Sequence, residues 1–218
     1  MKAVIFSDIH NDRAALDRLM SINADAYFCA GDLVSSSGKK PRGLAKMGEA
    51  MGQAMSTLVR RSASSAPDLR SGIPVYVLPG NHESAKDIET FCADFGFVNF
   101  HGATLELSGV RFAGLGYSTP TPFDTPGEWT EAHMAQHLNR FDAYKPDVLI
   151  CHAPPLNTAL DRIQEGLHAG SQAVRDFIEH HQPAHFFCGH IHEADGVVIQ
   201  IGRTRAMNVG KQGYVIEI

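Results

Sequence analysis

Five short apolar runs in this chain break off on a residue that can bind a metal or move a proton, and that repetition constrains the fold more than any other feature. Lys2–Phe6 runs into Ser7-Asp8-Ile9-His10, Ala26–Ala30 into Gly31-Asp32, and Ile73–Leu78 into Pro79-Gly80-Asn81-His82-Glu83. Asp147–Cys151 stops on His152 before Ala153-Pro154-Pro155, and Ala184–Cys188 stops on Gly189-His190-Ile191-His192. Continuous apolar runs of this length read as strands buried on both faces. Helical patterns between the earlier runs make βαβ crossovers, and hence parallel pairing. In open α/β sheets, ligands gather at the carboxyl ends of the strands. A single sheet could therefore present Asp8, His10, Asp32, Asn81, His152, His190 and His192 along one edge.

The helices announce themselves by spacing and caps. Asn11 or Asp12 can cap a first helix with Ala15, Leu16, Leu19 and Met20 on its buried side. A second carries Leu44, Met47, Met51, Met55 and Leu58, a Met stripe that reads as core packing. Ser84 and Asp87 form a capping pattern before Ile88, Phe91, Cys92 and Phe95, and Gly96 ends that helix. Met134, Leu138 and Phe141 mark a fourth. Ser171 opens a fifth with Val174, Phe177 and Ile178 buried, and His180 and His181 at its favourable C-terminal end. Phe97–Phe100, Leu105–Leu107 and Val110–Ala113 alternate as antiparallel strands do, and Val197–Ile201, Arg205–Val209 and Tyr214–Ile218 read most simply the same way. Residues 35–43, with Lys39, Lys40 and Arg42, residues 61–72 and 117–127, and the stretch up to Gly170 read as loops.

Bulk properties exclude little. At 218 residues, with 44% hydrophobic and 20% charged residues, the chain is expected to be one globular domain spanning 1–218. A net charge of -5 argues against a broad nucleic-acid footprint and leaves open a local positive patch made by bound metal. Cys29, Cys92, Cys151 and Cys188 form no C-x-x-C pair and read as buried thiols in a reducing compartment. The first apolar run is too short for a signal peptide or membrane span, so a cytoplasmic location and no membrane partner are expected.

Carboxylate, imidazole and amide donors together suit borderline divalent ions such as Mn, Fe, Zn or Ni. Seven donors are too many for one tetrahedral site and suit two adjacent ions sharing a carboxylate, an arrangement that activates water and clamps a phosphoryl group. His190-x-His192 converges only if the chain turns there, since a strand would point the two rings to opposite faces.

Asp8-Ile-His10, Gly31-Asp32, Gly80-Asn-His-Glu83, His152 and Gly189-His-Ile-His192 stand in the order found in the calcineurin-like metallophosphoesterases, a family this chain resembles over nearly its whole length. The resemblance implies an α/β fold, a central mixed-sheet β-sandwich flanked by helices. It implies one metal held by Asp8, His10, Asp32 and His192, and a second by Asp32, Asn81, His152 and His190. It also implies hydrolysis of a phosphate mono- or diester, small or nucleotide-like, by a metal-bridging hydroxide. His82, not itself a ligand, would be the general acid, and Glu83 is read as support for the turn. Relatives resembling the protein Ser/Thr phosphatases carry an Asp and an Arg where this chain has Ser35 and Ser36, so a small phosphohydrolase is expected instead. A protein-binding scaffold on the same fold and a nuclease are the alternatives. His168 is read as within reach of the metal edge; His101, His133, His137 and His185 read as filler.

Overall fold

The computed structural model describes residues 1–35, 43–53 and 72–218. Ser36, Lys39, Lys40, Arg42, Met55, Leu58 and the loop at 61–71 lie outside the described residues.

The first sheet contains β1 (Lys2–Phe6), β2 (Ala26–Cys29), β3 (Val75–Val77) and β4 (Val98–Asn99), all parallel and in chain order. The expected antiparallel setting of the strand near Phe97–Phe100 is corrected: β4 is parallel to β3. The reason is the helix between them, which carries the chain back to the starting edge so that it re-enters in the same direction. The second sheet contains β5 (Ala103–Leu107), β6 (Val110–Leu115) and β7 (Val148–Cys151). A short hairpin, β8 (Arg162–Gln164) and β9 (Leu167–His168), precedes β10 (His185–Cys188), β11 (Val198–Ile201), β12 (Thr204–Asn208) and β13 (Tyr214–Glu217). In the second sheet the order is β11-β12-β10-β7-β6-β5, with β6, β7, β10 and β12 parallel and only the edges antiparallel. The final strand β13 leaves that sheet and pairs antiparallel with β1. The hairpin falls in a stretch expected to be loop, because two- and three-residue strands bearing Arg162 and Gln164 offer no apolar run to detect.

Helices α1 (Arg13–Met20), α2 (43–53) and α3 (Ala85–Phe95) belong with the first sheet, and α4 (Glu131–Leu138) and α5 (Gln172–His181) with the second. Asp12 accepts from the Ala15 N–H at the start of α1, and Ser84 and Asp87 form a reciprocal box at the start of α3. Ser171 caps α5.

Strand alternation sorts the core into layers. Val4 and Phe6 of β1 face outward onto α1 and its neighbours, while Ala3 and Ile5 face the second sheet. Leu149 and Cys151 of β7 pack under α4 and α5, while Val148 and Ile150 face the first sheet. The result is a helix–sheet–sheet–helix sandwich with two mixed sheets. At its centre Phe28 of β2 lies between Tyr76 of β3 and Phe112 of β6, with ring centroids 4.7 and 5.1 Å away and near-parallel planes. The expectation of one donor-bearing sheet edge is thereby corrected. β1, β2 and β3 end on one side of the sandwich and β7 and β10 on the other, so two facing rims share the donors.

Candidate metal centre

Each donor stands just past the carboxyl end of a buried strand, where the chain must leave the sheet abruptly. Asp8, His10, Asp32 and His190 all have positive φ, at 56°, 45°, 54° and 71°. Non-glycine residues occupy that region only when the surroundings enforce it, and such strain gathers at functional sites. Here the backbone enforces it: the Asp8 N–H donates to the Gly31 carbonyl at 3.1 Å and the His10 N–H to the Asp32 carbonyl at 3.0 Å. Close approach also explains two glycines. A Cβ on Gly80 would stand 2.0 Å from Asp32 Oδ1, and one on Gly189 2.2 Å from Asp8 Oδ2.

The two rims interleave their donor atoms. His10 Nε2 lies 3.0 Å from His192 Nε2, 3.8 Å from Asp8 Oδ1 and 3.6 Å from Asp32 Oδ2. Asp8 Oδ1 is 3.6 Å from His192 Nε2. Toward the interior, His152 Nε2 is 3.5 Å from Asp32 Oδ2 and 3.1 Å from Asn81 Oδ1, which also approaches His190 Nδ1 at 3.0 Å. Tetrahedral bonds of about 2.0–2.1 Å set neighbouring ligand atoms roughly 3.4 Å apart, so the spacing fits first-row divalent ions. Asp32 is common to both sets. All seven sequence-expected donors are brought together. His82, 22% exposed, stands at the mouth with Nε2 3.8 Å from Asp32 Oδ2 and its ring edge-on to His10.

Charge supplies a second test of fit. Burial, then Glu83 and Asp8, push the Asp32 carboxyl well above the ordinary carboxylate range. Burial would raise Asp8 as well, but His192, His152 and His10 beside it prevail and hold it below its usual value. Glu83 is pushed up to about 7 by burial, partly offset by backbone N–H donors. The imidazoles shift the other way. Burial lowers His10 to about 4 and His190 to about 3, and it lowers His152 too, so these rings stay neutral with lone pairs available. His192 alone rises, through Asp8. Among the described residues no lysine or arginine pairs with Asp8, Asp32 or Glu83. Three buried acids beside neutral imidazoles lack the positive counter-charge that bound cations would supply.

Comparison with known proteins decides the family. Residues 1–194 match the calcineurin-like phosphoesterase family. The chain belongs to that family. The uncharacterized protein MJ1162 of Methanocaldococcus jannaschii is 28% identical over 99% of this chain and 91% of its own length. A probable glycerophosphodiester phosphodiesterase GpdQ of Arcobacter nitrofigilis is 25% identical over 55% of this chain and 46% of its own. The crystal structure of TT1561 of Thermus thermophilus shares the fold, with a TM-score of 0.67 at 17% identity, covering 96% of this chain and 88% of that one. As a metallophosphoesterase the chain is a phosphohydrolase. No helix among its described residues is long and apolar enough to cross a membrane.

Other residues of this phosphoesterase hold the donors in place. Glu83 is fully buried and accepts from three backbone N–H groups, those of Asp32, Gly80 and Val34. His152 Nδ1 donates to the Ala30 carbonyl at 2.9 Å, which turns Nε2 toward the centre. Thr125 Oγ1 donates to Glu128 at 2.5 Å and accepts from Asn81 Nδ2 at 3.1 Å, so the Asn81 carbonyl must face His152 and His190. Asn208 Nδ2 donates to the carbonyls of Gly189 and Ile191, pinning the turn on which His190 and His192 converge. Thr125, Glu128 and Asn208 escaped the sequence reading, since nothing local marks a residue whose partners lie far along the chain. Ser35, where some relatives have Asp, places its hydroxyl 3.5 Å from His10 Nδ1. The remaining histidines part company. His168 Nδ1 pairs with the buried Asp161 at 2.7 Å, His181 with Asp142 at 2.9 Å, and His101 accepts from the Gly116 N–H. All four cysteines are buried free thiols.

Proposed function

We propose that this enzyme hydrolyses a phosphate mono- or diester with two divalent ions, one held by Asp8, His10, Asp32 and His192 and the other by Asp32, Asn81, His152 and His190. The convergence of these seven donors from two sheets around the shared Asp32 carries the reading. A complete donor set favours it over a protein-binding scaffold. Bound divalent ions would supply Lewis acidity to the phosphoryl oxygens and acidify the attacking water.

The chain's own groups do the rest. Asp8 and Asp32 each commit carboxylate oxygen to a backbone N–H, of His190 and His82 respectively, which fixes the direction of the remaining lone pairs. Buried His152 closes the inner side against water. His82 lines the clefts on both flanks of the centre, so an ester approaching from either side meets its ring. From there it donates a proton to the departing ester oxygen, a role typically contributing about 10²- to 10⁴-fold in rate. The substrate class is a small or nucleotide-like phosphate ester.

Elemental analysis coupled to hydrolysis of phenyl phosphate and diphenyl phosphate tests this. Asp32→Asn is expected to lose both metal and turnover. His82→Ala is expected to keep its metal and to lose rate by about 10²- to 10⁴-fold. Equal metal loss in the two variants would refute the division of roles.

A further inference from the structure

The cleft on one flank of the centre is lined unlike the rest of the surface. It has a volume of about 720 Å³, and its floor includes Asp32, Asn81, His82 and His190. One wall is the proline-rich segment containing Pro120, Pro122 and Phe123, and the other is the β8–β9 hairpin with Ile163 and Leu167. Large apolar side chains are otherwise scarce outside the core. Five are exposed among the described residues, and three of them, Phe123 at 79%, Ile163 at 36% and Leu167 at 45%, line this one cavity. Exposed apolar groups gathered beside polar chemistry mark a binding surface, whereas scattered ones need no explanation.

The walls are built features. Asp161, fully buried, accepts from the N–H groups of Asn157, Thr158 and Gly170 as well as from His168, and so ties both ends of the hairpin segment together. β8 packs against the turn at 192–194, which carries His192. The apolar wall is thus anchored to the donor set. Among the described residues the cavity has no Lys or Arg in its lining, and Glu193 contributes an acid. Among those residues a second phosphate or an acidic peptide finds no lysine or arginine, while an uncharged apolar group finds three exposed hydrophobic side chains. His168, its Nδ1 paired with Asp161 at 2.7 Å, adds one polar side chain to the lining.

We infer that this cleft is the subsite for the organic part of the ester, and that the enzyme selects phosphate esters of apolar, aryl-type alcohols over those of small polyols or polyanions. The inference rests on the phosphoesterase reading above and names its substrate class. Phe123, Ile163 and Leu167 are its specificity-determining residues.

Calorimetric titration of the Mn-loaded enzyme with two phosphonates, methylphosphonate and 1-naphthylphosphonate, tests it with ligands that are not turned over. The naphthyl compound is expected to bind about 10- to 100-fold more tightly, as burial of one ring against apolar walls provides. Leu167→Asp and Phe123→Ser, both at exposed positions, should collapse that ratio toward one. Val198→Asp, equally exposed but on β11, should leave the ratio as it is. Equal affinities in the wild type, a preference that survives Leu167→Asp, or no binding of either compound would overturn the inference. A naphthyl preference lost in Leu167→Asp, found together with no hydrolysis of phenyl phosphate under Mn, Fe, Zn or Ni, would support the subsite and refute the hydrolase mechanism instead.

Discussion

The two rims that meet at the centre solve opposite electrostatic problems. The first sheet's rim is acidic: Asp8, Asp32 and Glu83 are crowded together and satisfied largely by backbone N–H groups. The second sheet's rim is built from His152, His190 and His192, two of which burial keeps uncharged. The acidic rim is therefore unfavourable by itself and complete only with cations, while the imidazole rim is stable as it stands. On the proposed reading, metal affinity would come from frustration on one side and readiness on the other.

Asp32→Asn tests the contrast most severely. Beyond the loss of metal above, it should lower affinity for the ions by more than the roughly 10- to 100-fold typical of a supporting residue. In metal-free protein it should act in the opposite sense and stabilise the fold, by about 1 kcal/mol or more, because it relieves the cost of burying an acid beside Glu83 and Asp8. His152→Asn should lower both affinity and stability. If the two variants changed metal-free stability in the same direction, the asymmetry between the rims would be wrong.

Glu83→Ala comes next. It leaves three buried N–H groups without an acceptor, at a cost of about 3 kcal/mol or more in a urea titration. It also removes a pH dependence. The folded state holds a proton on Glu83 up to about 7, against an ordinary value of 4.5. In metal-free protein the contribution of Glu83 to stability should therefore grow as pH falls from 7 to 4.5 and level off below, so that subtracting the variant's pH profile from that of the wild type leaves a rise over this window. The second sheet's side carries the opposite sign. Burial, assisted by His137, lowers His101 to about 4 from 6.5. As pH falls through 6.5 the unfolded chain takes up the proton first, and stability is lost until about 4, in total about 3 kcal/mol. His101→Asn should flatten that fall, as read from urea midpoints at pH 8, 6.5 and 4.5.

The smallest effect concerns Asn81, which joins the rims. Thr125→Val removes the acceptor that orients its amide, and metal affinity should drop by about 10- to 100-fold with little change in the fold. Retention of full affinity would mean that His152 and His190 alone hold the amide carbonyl inward.

Much of this was legible because the donors lie where apolar runs end, a pattern carried by neighbouring residues. The caps at Asp12, Ser84 and Ser171 were legible for the same reason. What escaped depends on distance along the chain. That β7 and β10 belong to a different sheet from β1–β3 is decided by how Phe112, Ile150 and Phe187 pack against Ile5 and Phe28, which no local window contains. The hairpin at 162–168 and the Glu128–Thr125–Asn81 relay likewise exist only once the loops are folded over the centre.

The stack of Phe28 against Phe112 has a further meaning. These rings touch across the gap between the sheets, and close-packed interiors yield little under load. Their thickness therefore works as a gauge block that sets how far apart the two rims stand. Trimming Phe28 would alter the spacing of the donors from deep inside the sandwich without touching any of them, so the dimensions of the chemistry are specified in part by residues that never meet the substrate.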